Sequence, residues 1–437
     1  MSGDEQTRHM VLVSSGLFGS RFIDPYYSPE LSRQAILEVL LPKRLWPGVD
    51  VLARPTAAWV PEAYLQGRDI ALNVVLGIPC NKVRSIAAEL SQRDGIVGFG
   101  TDEPIDGFLH WCPSGENGGI FRDSDAALEV SGLKALHDAG HTGKGVNVIV
   151  VDKGIDHSKL PLPGACKGGW EKGAGGSTYK PCPQLSALLP NIAAHGTMIA
   201  QVVHLAAPEA SIWDLRALVH PIATPCFLSE TEAAYARVKA AIDKGELSGP
   251  CIFINAWGIW TTRTDPCPGS APYSTAPGHP FTKGIEALGD QFDIVFAAGN
   301  CGSSCPDARC GPADRGPGRS IHGANGTAAV TSVGAARIDD IWLGLSAEGK
   351  SALGYEKPDF CAPSHFRNSQ NHLQRYTGTS AAAALTAGAI ACLRSKNSNW
   401  QGKKPHELRV HLRAKTRGIP TGGWNSRLGA GFLNAVV

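Results

Sequence analysis

Three polar side chains stand where a fold could gather them for chemistry. Asp152 ends a continuous apolar run in VNVIVVDKGID, His195 opens AAHGTMIA, and Ser380 follows a glycine turn in YTGTSAAAALTAG. A serine hydroxyl is a weak nucleophile until an imidazole takes its proton, and that imidazole needs a carboxylate to hold its tautomer. A helix starting at the serine adds unpaired N–H groups and a dipole that favour a developing oxyanion. Asn300, in FAAGN, adds a carboxamide donor of a kind that contributes about 10²–10³ in rate. Taken singly, each residue is more often structural: the serine a helix cap, the aspartate a capping turn, the His-Gly pair a helix start. Four such groups in this order and context point to acyl transfer by a hydroxyl nucleophile.

The elements that must position them alternate. Residues 146–151 (VNVIVV) are β-branched and apolar apart from Asn147, as in a strand buried on both faces. Strand-like runs at 211–218, 250–257, 294–298 and 328–335 alternate with helical runs at 197–205, 229–244, 281–288, 381–393 and 405–415. This pattern predicts βαβ units and an α/β fold with a mostly parallel sheet flanked by helices, its reactive groups at the carboxyl ends of the strands. The first 125 residues read differently. Periodicity is poor to about residue 68, and then a strand (70–78), a helix (81–92) and a strand (95–100) form a small α+β unit. A Gly-, Ser- and Pro-rich stretch at 112–124 reads as a linker, giving an N-terminal domain over 1–125 and a catalytic domain over 126–437.

The motifs resemble those of the subtilisin-like serine proteases (subtilases, peptidase S8). GKGVNVIVVDKGID is similar to the family's aspartate motif, HGTMIA to its histidine motif, FAAGN to its oxyanion motif and GTSAAAALTAG to its serine motif. Weaker likenesses lie at 207–216, 254–258, 357–363 (a turn before the serine motif) and 429–435, so the resemblance runs from about residue 130 to the end. It implies a subtilisin-like fold and a serine endopeptidase acting on extended polypeptide, with Asp152, His195, Ser380 and Asn300 as its catalytic groups. It also implies that Ala256, Trp257 and Gly258 form one rim of the substrate cleft, with Gly299 beside the oxyanion donor. Trp257 then either borders the pocket or packs in the core.

No organic cofactor follows. Many relatives bind calcium, but no ligand set is legible here, and no metal site is assigned. The N-terminal unit reads either as a propeptide-like inhibitor, which predicts self-cleavage between about 103 and 130, or as a permanent recognition domain. An acyl transferase or peptide macrocyclase using the same groups, and an inactive binding scaffold, are the other readings. Lys153 departs from the small hydroxyl residue usual in the family, Met198 from a histidine, and the serine helix lacks its customary Met and Pro. Lys153 either favours ionised Asp152 or points to solvent.

Composition bounds these readings. The chain has 437 residues, 41 Lys+Arg against 39 Asp+Glu, a formal charge of +2, 18% charged and 43% hydrophobic residues. A disordered chain would be less apolar and more charged, a coiled coil richer in charge and poorer in Gly, and a nucleic-acid binder more basic. With no export signal or apolar span in the sequence, a cytoplasmic protein without a membrane or nucleic-acid partner is expected, and its twelve cysteines are expected as free thiols. Cys301, Cys305 and Cys310 leave three readings open: a metal site with His322, a disulfide pair, or thiols. Their spacing is a poor zinc signature. Cys166 and Cys182 are a candidate pair. Asp307 and Asp314 read as surface loop acids rather than as selectors of a basic substrate side chain, and the basic run from 394 to 417 as a solvated helix face rather than a nucleic-acid patch. Composition does not specify an oligomeric state.

Overall fold

The computed structural model describes residues 6–21, 32–58, 71–107, 122–160, 165–171, 194–218, 226–262, 267, 269–395 and 398–436. The chain opens with β1 (Gln6–Ser14), α1 (Arg33–Leu40), β2 (Asp50–Ala58), β3 (Ala71–Pro79), α2 (Val83–Leu90) and β4 (Ile96–Thr101). The strands form an antiparallel sheet in the order β2-β3-β1-β4. The strand-helix-strand reading of 70–100 corresponds to β3, α2 and β4. Those two strands are not neighbours, because β1 lies between them. The segment read as aperiodic therefore supplies a central strand. Being central, β1 is buried along most of its length and shows no alternation to detect. Leu72, Val74 and Leu76 of β3 pack with Leu40 of α1 and with Val83 and Ile86 of α2, giving this region its own core.

A short strand, β5 (Pro104–Gly107), follows, then α3 (Ser124–Val130) and α4 (Leu133–Asp138). Asp123 caps α3, its side chain accepting from the Ala126 N–H at 3.2 Å. The second part comprises β6 (Asn147–Asp152), β7 (Cys166–Glu171), α5 (Ala194–Ala206), β8 (Ser211–Arg216), β9 (Cys226–Phe227), α6 (Leu228–Asp243), β10 (Cys251–Asn255) and β11 (Trp257–Gly258). It continues with α7 (Pro280–Gly289), β12 (Asp293–Ala297), β13 (Thr331–Ala336), β14 (Phe360–Pro363), β15 (Phe366–Arg367), β16 (Arg375–Tyr376), α8 (Gly378–Leu393) and α9 (Pro405–Ala414). Seven strands pair in parallel in the order β14-β13-β12-β10-β6-β8-β7. The expected α/β architecture is present. Residues 357–363, read as a turn, contain the edge strand β14.

The period of two explains why the central strands look uniformly apolar. In β6, Val148 and Val150 pack in the layer holding α5 and α8, while Ile149 and Val151 pack in the layer holding α6 and α7. Each such side chain stabilises the fold by about 1.5–3 kcal/mol on burial. The Ala-rich α8 is buried along its whole length, so its small residues suit a helix packed on every side rather than an exposed one.

The N-terminal sheet rests on the starts of α6 and α7. Asp102 accepts from the Ser229 N–H (3.0 Å) and hydroxyl (2.9 Å) at the start of α6, while Arg8 donates to it at 2.8 and 3.1 Å. A carboxylate at a helix start is favourable by up to about 1 kcal/mol, yet burial outweighs Ser229 and Arg8 and raises the Asp102 carboxyl above its ordinary range. Asn73 of β3 donates to Glu232 of α6 at 2.7 Å. His279 takes an N–H from Phe281 on Nδ1 (3.2 Å), so its Nε2 carries the proton donated to the Thr101 carbonyl (2.8 Å). A disulfide, Cys80–Cys267, joins the two regions.

That bond corrects the expectation of free thiols for Cys80 and Cys267, while Cys251, Cys361 and Cys392 are thiols as expected, since a sequence shows spacing and not which sulfurs meet. The basic run is corrected in part. Arg394 is buried, forked on Asp293 at 2.7 and 3.0 Å, and it also donates to the carbonyl of Lys403, so it ties the α8 end to β12 instead of facing solvent. Among the described residues no helix is long and apolar enough to cross a membrane.

Candidate active site

Asp152 ends β6, His195 is the second residue of α5, and Ser380 is the third residue of α8. Their elements are adjacent, so residues far apart in sequence converge at the carboxyl edge of the sheet. His195 Nδ1 lies 2.8 Å from Asp152 Oδ2, and His195 Nε2 lies 3.1 Å from Ser380 Oγ. All three side chains are buried. With Nδ1–H donated to the carboxylate, Nε2 is left with its lone pair toward the serine. The second Asp152 oxygen accepts from the Lys153 N–H at 2.7 Å, which fixes the carboxylate. Gly196 permits the close approach: a Cβ there would meet the Gly154 carbonyl oxygen at 2.3 Å and Asp152 Cβ at 3.2 Å.

Asn300 follows β12 and meets the start of α8. Its Oδ1 accepts from the Thr379 N–H (3.0 Å) and hydroxyl (2.8 Å). This fixes the amide's orientation and reserves Nδ2 as the donor end. The Gly299 N–H donates to Thr379 Oγ1 at 3.3 Å, linking the same loop to the helix start.

The cleft beside these groups contains a segment of the chain itself. β5 runs antiparallel between β11 and β9, with Gly107 opposite Trp257, Asp106 opposite Gly258, Ile105 opposite Cys226 and Pro104 opposite Phe227. Gly107 lies against the histidine, where a Cβ would meet His195 Nδ1 at 3.0 Å and Cε1 at 3.2 Å. Ile105 is buried in the α6–α7 core. Residues 104–107 thus adopt the extended, edge-paired form in which a cleft takes up a peptide.

Trp257 and Gly258 pair with that strand through their backbones, whereas Ala256 lies outside the pairing and is buried in the layer holding α5 and α8. The Trp257 ring is fully buried in the core, edge-on to Phe281 at 5.9 Å and Phe296 at 5.2 Å.

The Subtilase family (peptidase S8) matches residues 143–431, well over half of the chain. The chain belongs to the subtilase family. Among solved structures it is similar to fervidolysin from Fervidobacterium pennivorans, described as a keratinolytic enzyme related to subtilisin. The identity is 14%, the TM-score 0.59, and the match covers 98% of this chain. The chain spans 60% of the length of fervidolysin. No curated protein matches the chain.

Several features of this subtilase lay beyond sequence reasoning. Lys153 neither points to solvent nor pairs with Asp152. Its ammonium reaches Asp106 Oδ1 at 2.5 Å, and Arg309 Nη1 donates to Asp106 Oδ2 at 2.9 Å. Burial alone would raise the Asp106 carboxyl, but the Lys153 hydrogen bond and charge, the Gly107 N–H and Arg309 together hold it below the usual range. The cysteine-dense loop is stapled by a Cys301–Cys310 disulfide, and Cys305 is also disulfide-bonded, so the metal and free-thiol readings of that loop do not hold. Among the described residues no cluster of three or more His, Cys, Asp or Glu is placed to hold a metal ion.

Asp307 and Asp314 are not surface acids. Both are buried: Asp307 is forked by Arg309 at 3.0 and 3.1 Å, and Asp314 accepts from the Thr262 N–H at 3.1 Å beside His322. Folding the loop back on its own cations and backbone donors satisfies them there. Cys182 lies outside the described residues, and so does its pairing with Cys166.

Proposed function

We propose that this subtilase is a serine endopeptidase and that its N-terminal region is a propeptide-like inhibitor. In this reading Ser380 Oγ attacks a peptide carbonyl while His195 Nε2 takes its proton. Asp152 holds the imidazolium through Nδ1–H. Asn300 Nδ2 and the Ser380 N–H stabilise the oxyanion. His195 then passes the proton to the leaving amine, and water, deprotonated by the same nitrogen, releases the acyl group. The substrate is extended polypeptide bound between the β9 and β11 backbones. No cofactor enters the scheme.

The observation that carries this reading is the position of β5. An ordinary structural strand has no reason to end against the imidazole of an Asp–His–Ser relay, whereas an inhibitor that mimics bound peptide must do so. Gly107 is the last described residue of that strand and lies against His195, so we place the cut just after it, within the window expected for self-cleavage. The boundary between the inhibitory and catalytic parts is accordingly placed between 107 and α3, close to the division at 125. Disulfides form in oxidising compartments, which favours such a compartment over the cytoplasm.

Fluorophosphonate labelling tests the enzyme reading. Labelling that disappears in Ser380→Ala supports it, and equal labelling of both proteins, or of neither after self-processing, refutes it. A macrocyclase would instead release peptides lacking a free terminus, which mass spectrometry of the products distinguishes.

A further inference from the structure

The two cations that meet Asp106 both belong to the catalytic part, and Arg309 is held there by contacts outside β5. Lys153 follows Asp152 directly, and its backbone is anchored by the N–H it donates to that carboxylate. Arg309 is more constrained still. Its guanidinium forks Asp307, stacks 3.8 Å above the Trp260 ring centroid, and sits on the loop closed by the Cys301–Cys310 disulfide. Asp307 uses Nε and Nη2 of Arg309, leaving Nη1 to face β5, where it also lies 3.5 Å from the Gly107 carbonyl. Lys153 takes one oxygen of Asp106 and Arg309 the other. Two cations from loops 156 residues apart in sequence (309 − 153) converge on a single carboxylate in a strand that occupies the substrate's place.

We propose that Lys153 and Arg309 form a carboxylate-binding subsite, so that the enzyme prefers substrates with Asp or Glu immediately before the small residue that packs on His195. This rests on the protease reading above and adds a substrate class to it: acidic, extended peptides of the form apolar–acidic–small ahead of the scissile region, as in Ile105-Asp106-Gly107. When β5 leaves the cleft, its two cationic partners stay with the catalytic part, and a substrate carboxylate regains both charge-assisted hydrogen bonds. An amide at the same position accepts through one oxygen and carries no charge. A lysine would face two like charges. Lys153, the residue that departs from the family's usual small hydroxyl, thereby acquires a role.

The test uses the full chain after self-processing and peptides carrying residues 102–111 with Asp, Asn or Lys at position 106. Cleavage products are identified by mass spectrometry, and kcat/KM is compared within one enzyme preparation so that the active fraction cancels. The Asp peptide is expected to be preferred over Asn by about tenfold and over Lys by more, with the ratio narrowing as ionic strength rises. In Lys153→Gln/Arg309→Gln the Asp:Asn ratio is expected to fall to about one. Ser380-dependent cleavage with equal rates for all three peptides overturns the subsite and leaves the protease reading standing. A ratio unchanged in the double variant also overturns it. No Ser380-dependent cleavage of any peptide overturns the protease reading and the subsite with it.

Discussion

The two sheets of this molecule are attached to their surroundings in opposite ways. The seven-stranded parallel sheet is covered on both faces by apolar side chains from α5, α6, α7 and α8. The four-stranded N-terminal sheet has its own apolar core on one face, and on the other Met10 joins the α6–α7 core beside a small cluster of Leu12, Ala58 and Ala71. Its other contacts with the rest of the chain include polar and titratable groups: Arg8–Asp102–Ser229, Asn73–Glu232, His279–Thr101 and the pair of cations on Asp106. Apolar burial is non-directional and changes little with pH, whereas buried polar contacts depend on protonation and geometry. One region is thus built as permanent core and the other as an attachment that solution conditions can weaken. The Cys80–Cys267 disulfide adds a covalent limit: a cut chain remains joined until that bond is reduced.

The largest effect expected is in the chemistry. Asn300→Ala should lower kcat by about 10²–10³ with a smaller change in KM, because the lost donor acts on charge that develops only in the transition state. A fall in KM-determined binding with kcat intact would remove Asn300 from the oxyanion site.

Next is the permanent core. Ile254→Ala, at the centre of β10, should lower unfolding stability by about 2–5 kcal/mol in urea titration, and a loss below about 1 kcal/mol would mean the parallel sheet repacks easily.

The attachment should respond to pH instead. Burial, then the charge of Asp102, pushes the Glu232 carboxyl up to about 8 from 4.5. Docking therefore holds a proton that the undocked state lacks between those values. Its contribution is complete below about pH 4.5 and is lost as pH rises towards 8. Burial lowers His279 and His9 to about 4, so their contribution is complete above about pH 6.5 and is lost as pH falls towards 4. Hydrogen exchange of the β4 amides in Ser380→Ala, corrected for intrinsic rates, should show greatest protection between these limits. Glu232→Gln should flatten the alkaline side alone. An alkaline limb unchanged in that variant would detach Glu232 from docking.

How much of this was legible in the sequence follows the same division. The parallel sheet was readable because strands buried on both faces leave uninterrupted apolar runs, and the four reactive groups were readable because each sits at the end of such a run or at a helix start. β1 was not, since its residues look no different from an apolar loop until β3 and β4 flank them. The partner of Lys153 was hidden for another reason. A lysine 47 residues after an aspartate (153 − 106) carries no mark of the fold that joins them, and charge in a sequence reads equally well as solvated surface. The polypeptide order likewise concealed that Cys80 would meet Cys267.

Intact-mass analysis of the purified wild type and Ser380→Ala, each with and without reductant, tests the central claim most directly. The wild type should run as one covalent unit without reductant. With reductant it should separate into two pieces cut after residue 107 or 108, while Ser380→Ala remains a single uncut chain in both conditions. A wild type that is uncut yet hydrolyses peptide, or a cut that persists in Ser380→Ala, would contradict it.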